Sequence, residues 1–466
     1  MKNRAYEIDV LRGLAIIGMV LSGQILRHAD LPAWLFHAQV PPPNFVFDPS
    51  VAGITWVDLV FPFFLFAMGA AFPLAMRKRL DTGTPAAKPV PGIIRRWALL
   101  SFFAIALANM RFSGIPDLPG WGAALLQIVG WGCFCAMFMR FERLSANANR
   151  IVCFTGIATA VALMTAARFI WHAPISVYRS DIIILILANM ALFGSLTWLF
   201  TRNNVRARLA ILVLLVALRT GAGVEGSWTQ ALWDMTPVPW LIRFDYLKYL
   251  CIIIPGTIAG DAIFAAMQRT PGKETEKPNR PVSIGILILT AAIFVTNMWG
   301  LFTRHLVWNI VLTLVFGFAA MYMLRKERSN RRDLYVSLFG WGFFWLVTGL
   351  LLEPFEGGIK KDHATFSYFF VTSGLASMTV MMAGMAMRQF NMRFNWLIEC
   401  GQNPMVAYTA AGFLIMPALR LLHLSPLLSF FAEIGPWGGV LHGMVITAAV
   451  VTVTVFFTRK RLFWRT

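Results

Sequence analysis

Apolar stretches of roughly 20 residues recur along the whole chain, separated by short polar segments. Each is long enough to cross the ~30 Å hydrocarbon layer of a bilayer as a helix whose backbone is hydrogen-bonded internally. Short alternating strands, which a membrane barrel needs, are not part of the pattern. The sequence therefore predicts an all-α, polytopic bundle of about 11–14 transmembrane helices, forming a single domain over residues 1–466. The fourteen candidate spans, of which the seventh is short, are residues 8–26, 54–76, 93–110, 120–139, 151–170, 181–200, 207–220, 247–268, 282–299, 305–324, 334–352, 365–387, 396–416 and 438–458.

The composition agrees with a membrane protein. Of the 466 residues, 58% are hydrophobic and only 14% are charged, whereas soluble domains carry about 25% charged residues. The net charge of +19 does not indicate a nucleic-acid partner, because the basic residues lie in short segments between spans. The five cysteines are odd in number and have no neighbouring ligands, so they predict neither a disulfide framework nor a metal site.

The basic residues also predict the orientation of the chain. If the amino terminus is cytoplasmic, most of the 41 Lys and Arg residues fall in segments on that side, as in the run Arg325–Arg332. This is the bias that the positive-inside rule describes. Both termini are then cytoplasmic, and we expect a multi-pass protein of a bacterial inner membrane. The loops on the other side are longer and hold residues able to do chemistry, so function is expected to open to that side.

Ionisable groups within spans are costly in lipid and are therefore candidates for function. Asp58 begins span 2 in the segment T-W-V-D-L-V-F-P, where it either caps the helix or orients a base or a substrate. His37 lies just before Pro41–Pro43. Imidazole exchanges a proton near neutral pH, so His37 is the candidate base, although a lone loop histidine is also compatible with no catalytic role.

The outer segment 353–363 combines two glycines with charges of both signs. It is predicted either to bind a polar or anionic substrate or to form a solvated hairpin. The outer turn around residue 304 is assigned the same substrate-binding role. The candidate substrate-binding residues are Lys360, Lys361, Asp362, His363, Arg304 and His305.

Two pairs of polar residues on the cytoplasmic side are candidates for binding a cofactor. Asp9 and Arg12 lie three residues apart on one helical face, where they form a structural ion pair or border a ligand. Gln402 and Asn403 lie near the start of a helix, whose backbone donors, together with the two side-chain amides, suit a phosphate-bearing ligand.

Four separated segments resemble the transmembrane acyltransferase superfamily that includes heparan-α-glucosaminide N-acetyltransferase and bacterial relatives of unknown function. The most specific is G-I-T-W-V-D-L-V-F-P-F-F, residues 53–64, with Met68-Gly69 after it; the others are residues 8–13, residues 360–374, and residues 401–405 with Tyr408. The resemblance implies an enzyme that moves an acetyl group from cytosolic acetyl-CoA to an amino or hydroxyl group of a sugar on the other side. The implied partners are the lipid bilayer, acetyl-CoA as co-substrate and a sugar or glycan acceptor, with no permanently bound cofactor and with a homodimer left open.

The chain departs from this family at two positions. The family's catalytic histidine lies shortly before the D-L-V-F-P motif, where this chain has Asp48, and a family asparagine falls on Gly23. The favoured hypothesis is direct transfer, with His37 as the base and Asp58 orienting it, while Asp48 remains a second candidate base. The alternative is a transporter or flippase for a free or lipid-linked sugar, although the chain has no repeated halves.

Overall fold

The computed structural model describes residues 4–269 and 279–464. Within these residues the protein consists of helices and the turns between them, without strands. The prediction of an all-α bundle is confirmed. The α-helices are α1 (Tyr6–Gln24), α2 (Trp56–Asp81), α3 (Val90–Asn109), α4 (Gly120–Phe138), α5 (Ala146–Ile170), α6 (Ile182–Thr201), α7 (Val205–Gly221), α8 (Trp228–Trp233), α9 (Leu250–Gln268), α10 (Arg280–Thr303), α11 (Leu306–Lys326), α12 (Arg332–Leu352), α13 (Phe366–Gln389), α14 (Asn395–Gln402), α15 (Pro404–Ala410), α16 (Met416–Leu421), α17 (Ser425–Glu433) and α18 (Pro436–Arg459).

Twelve helical segments of the described chain are long and apolar enough to span a membrane. Two of the fourteen predicted spans are not among them. Helix α1 carries three charged residues, Glu7, Asp9 and Arg12, within its 19 residues. Helix α7 has only 17 residues, which is at the lower limit of what a span needs.

The predicted span 396–416 is interrupted in the structure. Helix α14 ends at Gln402, and the spanning unit begins at Pro404 and continues through α15 and α16. Proline fits the first turn of a helix but not its interior, so Pro404 explains the break. Between α15 and α16, the segment Ala411–Ile415 forms a π-helical turn.

Helix α13 is the central helix, with 94% of its apolar span inside the protein. Helices α2 and α9 pack beside it at short range because glycines face the opposing backbone. A Cβ atom added at Gly69 would lie 2.4 Å from the Ile253 carbonyl oxygen, and one at Gly256 would lie 2.3 Å from that of Phe66. Small residues allow this close approach between membrane helices, so α2 is held firmly in the centre of the bundle.

The ends of the helices define two faces. The loop face holds segments 25–55 and 353–365, which hydrogen bonds between Gln39 and Asp362 join to each other. The basic face, at the opposite ends, holds the turns 82–89 and 327–331 together with the amino-terminal end of α1. These are the predicted outer and cytoplasmic sides, respectively.

An ion-pair network joins α2, α7 and α9 near the basic face. Asp261 accepts hydrogen bonds from Arg77 and Arg208, each at 2.8 Å. Arg208 is completely buried, and it also donates to the Thr257 hydroxyl at 3.0 Å. A charge is tolerated in such a place only when it is paired and hydrogen-bonded, so this network serves the fold and fixes the short helix α7.

Candidate active site

Asp58 lies in the first turn of α2 and is completely buried. Its Oδ2 atom accepts hydrogen bonds from the backbone N–H groups of Thr55 at 2.9 Å and Ala38 at 3.3 Å. Thr55 and Asp58 form a reciprocal capping box at the start of the helix. One carboxylate oxygen thus caps α2 and fastens the preceding loop, which leaves Oδ1 for other partners.

His37 lies over this second oxygen. Its Nδ1 atom is 3.2 Å from Asp58 Oδ1, and the backbone N–H of Gln39 also points at Nδ1 from 3.2 Å. Asp58 Oδ1 is buried and has no hydrogen bond of good geometry within the described residues. The bond from Gln39 requires a lone pair on Nδ1 and places the ring proton on Nε2. A proton on Nδ1 would instead satisfy Asp58 Oδ1 and leave the basic lone pair on Nε2, and the two tautomers exclude each other; the reaction proposed below uses the second.

Lys361 and Asp362 complete the cluster from the other loop. Lys361 Nζ lies 4.0 Å from Asp58 Oδ1, and Asp362 Oδ2 lies 3.5 Å from His37 Nε2. Burial, reinforced by the positive charge of Lys361 and partly offset by Asp362, lowers the pKa of His37 from 6.5 to about 4. The imidazole is therefore neutral at physiological pH and able to accept a proton.

Gln39 holds the two loops together and was missed by the sequence analysis. It is fully buried. Its Oε1 accepts from the Asp362 backbone N–H at 2.9 Å, and its Nε2 donates to the Asp362 carbonyl at 3.2 Å and to the Pro49 carbonyl at 3.3 Å. Only its position two residues after His37 in an apolar segment set it apart in the sequence, and that signal is weak.

The amino-terminal end of α13 forms the floor of the site. The Tyr368 hydroxyl donates to the Asp58 carbonyl oxygen at 2.7 Å. Glu356 accepts from the backbone N–H groups of Phe366 at 2.6 Å and Ser367 at 2.7 Å, and a carboxylate in this position is stabilised by the helix dipole. The segment that carries Lys361 and Asp362 is thereby tied to the central helix, so these two charges have defined positions.

Asp48 does not join the cluster. Its side chain is exposed and accepts hydrogen bonds from the Ser50 hydroxyl at 2.5 Å and the Ser50 backbone N–H at 2.8 Å. These bonds, the side-chain bond first, lower the pKa of Asp48. The structure therefore holds Asp48 at the surface, bonded to Ser50, and brings His37 rather than Asp48 to Asp58.

The other predicted residues of the loop face lie apart from the His37–Asp58 pair. Arg304 forms an ion pair with the buried carboxylate of Glu353, which is a structural role. His305 stacks on the Trp299 ring with their centroids 4.8 Å apart. Two residues of the second loop, Lys360 and His363, are engaged through their backbones: Lys360 bonds to Thr365, and the His363 carbonyl accepts from Arg219.

On the basic face, the predicted ligand-binding residues mostly contact one another or the fold. Asp9 pairs with Arg4 at 2.5 Å and with Arg12 at 3.4 Å, and Arg12 also donates to the Gly401 carbonyl at 3.1 Å. The Asn403 amide donates to the Leu462 carbonyl and accepts from the Trp464 backbone N–H. The side chain of Gln402 is partly exposed.

A second polar cluster on the basic face has hydrogen-bonding capacity that its neighbours leave unused. Glu7 is buried between Arg331, at 4.0 Å, and Arg388, at 3.8 Å, which are long distances for ion pairs. The neighbour of Arg388 in sequence, Gln389, is also buried, and neither of its amide atoms has a hydrogen-bond partner within the described residues. Arginines suit a phosphate-bearing ligand, and such a ligand would compete with the Glu7 carboxylate for Arg331 and Arg388.

An apolar crevice of about 420 Å³ lies between α1, α2, α10 and α13. Leu14 and Gly18 line one wall, and Trp56 and Val60 line another. Gly18 and Glu7 are eleven residues apart on α1, about 17 Å along the helix axis. The crevice borders the first two turns of α2, where Asp58 also lies, and on α1 its lining begins at Leu14, seven residues from Glu7.

The twelve apolar helices define an integral, multi-pass membrane protein, with a histidine–carboxylate pair at one end of its central helices. The chain belongs to the family described as Domain of unknown function (DUF5009), whose model matches residues 4–263. It is also similar to heparan-alpha-glucosaminide N-acetyltransferase of Mus musculus, with 28% identity over 145 residues. That match covers 30% of this chain and 19% of the mouse protein, which supports a distant relationship to a membrane N-acetyltransferase.

Proposed function

We propose that the protein is an acyltransferase of the bacterial cytoplasmic membrane. It moves an acetyl group from cytosolic acetyl-CoA to an amino or hydroxyl group of a sugar or glycan at the loop face. The observation that carries this proposal is the placement of His37, a neutral imidazole with Nε2 beside Asp362 and Nδ1 against Asp58 Oδ1, which Lys361 also approaches. The distant similarity to an N-acetyltransferase supports the same class of reaction.

In the proposed reaction, the acceptor nitrogen or oxygen attacks the thioester carbonyl carbon while His37 Nε2 takes its proton. The C–S bond then breaks, the acetyl group remains on the acceptor, and the proton passes to the departing thiolate of CoA. Asp58 orients the imidazole and stabilises the imidazolium that forms. Lys361 supplies positive charge for the oxyanion that develops on the carbonyl oxygen.

We assign the phosphates of the donor to Arg331, Arg388 and Gln389 on the basic face. Arg12 and Asn403 have protein partners already, so they are assigned to shaping this entrance rather than to direct contact. The acetyl-bearing arm would follow α1 through the crevice past Gly18. Glu7 and Gly18 are about 17 Å apart along α1, so the arm of acetyl-CoA would have to extend at least this far to carry the thioester towards the loop face.

The direct test is an acetyl-transfer assay. Purified protein in detergent receives radiolabelled acetyl-CoA and a panel of amino sugars and neutral sugars. We expect a labelled sugar with wild-type protein and a loss of at least about 10²-fold in His37→Ala. His363→Asn is the matched control, because it changes an exposed histidine of the loop face and asparagine tolerates the positive φ of 52° at that position.

The outcome that contradicts the proposal is equally specific. If no acceptor is labelled, while proteoliposomes show protein-dependent movement of a sugar across the bilayer, the protein is a transporter. If transfer occurs and His37→Ala retains it in full, the site assignment is wrong although the reaction class stands.

A further inference from the structure

A second cavity, of about 460 Å³, lies at the loop face and shares no residue with the His37 site. It is enclosed by the end of α1, the end of α3 with the turn after it, α4, α15 and the π-helical turn. Its volume is within the range of about 300–1,000 Å³ typical of small-molecule sites. The residues that line it are Met19, Val20, Gly23, Gln24, Leu107, Arg111, Ser113, Gln127, Tyr408, Thr409, Ala411, Gly412 and Phe413.

The cavity contains amide groups with unused hydrogen-bonding capacity. The Gln127 side chain is buried, with 6% of the residue exposed, and among the described residues it has no hydrogen-bond partner. Gln24 also directs no side-chain hydrogen bond to another described residue, since only its backbone carbonyl is engaged, by His442. These amide groups border the cavity, where water can reach them, and a ligand with hydroxyl groups could replace that water and bond to both glutamines.

The charges at the cavity are balanced. Arg111 pairs with Asp181 at 3.1 Å, and the Tyr408 hydroxyl lies 3.0 Å from both carboxylate oxygens of Asp181. One positive and one negative group therefore cancel, which gives an anionic ligand no net attraction. The remaining polar groups are amides and hydroxyls, and they face apolar walls at Leu107 and Phe413. This combination suits a sugar ring, which has hydroxyl groups at its rim and C–H groups on its faces.

Backbone features shape the cavity from two sides. The π-helical turn Ala411–Ile415 widens the helix next to it, and such turns are frequent at functional sites. At Gly23 and Gly412, a Cβ atom would meet nothing within 4 Å. Both glycines therefore keep space open, and a larger side chain at either position would enter the cavity without striking the backbone.

We propose that this cavity binds a neutral saccharide unit through Gln24, Gln127 and Tyr408. This goes beyond the proposed acetyl transfer and does not depend on it. The saccharide is either free or the head group of a membrane lipid, because the same hydroxyl chemistry would be recognised in both.

The test is calorimetric titration of full-length protein purified in a detergent without a sugar head group. The probes are chitobiose, cellobiose and lactose, and a monoglucosyl diacylglycerol is tested separately with the protein in nanodiscs. We expect saturable binding of at least one probe, weakened at least about tenfold in Gly412→Met, which fills the cavity, and in Gln127→Leu, which removes the amide. Gly132→Met is the matched control, because Gly132 is an exposed glycine of α4 outside the cavity with nothing within 4 Å of its added Cβ.

The result separates the possible outcomes. Binding of the free disaccharides supports a free saccharide, and binding of the glycolipid alone supports a lipid head group. Binding that is unchanged in both cavity variants overturns the proposal, as does the absence of heat with every probe up to roughly 10 mM or tighter binding of glucose 6-phosphate than of any neutral probe. His37→Ala, which does not touch this cavity, is expected to bind like the wild type even if it is inactive.

Discussion

Removing the positive charge of Lys361 is expected to make His37 more basic. The imidazole and the ammonium group both lie against Asp58 Oδ1, at 3.2 Å and 4.0 Å, so they are no more than about 7 Å apart. Two unit charges at 7 Å interact by about 2.4 kcal/mol at an effective dielectric constant of 20. Because both side chains are partly open to water, we discount this to about 1.4 kcal/mol, which corresponds to one pH unit.

The predicted readout is the acid limb of kcat/KM for acetyl transfer. His37 must be neutral to accept a proton, so activity falls as the pH drops through its pKa, which lies near 4 in the wild type. In Lys361→Met the limb should move up to about pH 5, which reduces kcat/KM at pH 4.5 by about fourfold relative to the plateau and by about threefold relative to the wild type at that pH. Asp362→Asn removes a charge that raises the pKa, so its limb should move down.

Lys360→Met is the control, since it removes the neighbouring lysine, whose charge is not among those that act on His37. A wild-type limb near pH 6.5, or equal displacement of the limb in the Lys360 and Lys361 variants, would refute the electrostatic account of this site.

Further changes test other parts of the structure. Asp58→Asn should lower kcat by about 10²–10⁴-fold with little loss of thermal stability, because the amide oxygen can still cap α2; a large drop in unfolding temperature would contradict this. Gln39→Leu leaves backbone groups of the second loop unpaired, and we expect a loss of about 1–3 kcal/mol in stability, measured by chemical denaturation. Arg388→Ala should raise the KM for acetyl-CoA about tenfold at constant kcat, whereas Arg459→Ala, at an exposed pair on the same face, should not. Gly256→Leu should prevent recovery of monodisperse protein, because its Cβ would meet the α2 backbone at 2.3 Å.

Hydropathy was sufficient to predict the helical architecture, because spans of this length have few alternatives in lipid. Hydropathy was less informative where polar contacts determine whether a helix forms and where it ends. Helix α7 is short, yet it is retained because Arg208 is paired with Asp261. Pro404 could have indicated a break in the predicted span 396–416. The apolar residues on both sides of it nevertheless favoured a single span.

The candidate site was partly predictable for a similar reason. The chemistry of the residues led to the hypothesis that Asp58 orients His37. The distance of 3.2 Å between His37 Nδ1 and Asp58 Oδ1 agrees with this hypothesis. Asp48 is nearer to Asp58 in sequence than His37 is, but its bonds to Ser50 keep its side chain at the surface. The roles of Gln39 and Lys361 depend on contacts between distant segments, which a single sequence does not reveal.

The amide of Gln39 links positions 323 residues apart, so the cluster is built from two distant segments of the chain. His37 and Asp58 lie within the family-matched region 4–263, whereas Lys361 and Asp362 lie outside it. A fragment that stops at residue 263 would keep His37 and Asp58 but lose the two charges beside them. Variation in the second half of the polypeptide can therefore change the charges around His37 without altering the His37–Asp58 pair itself.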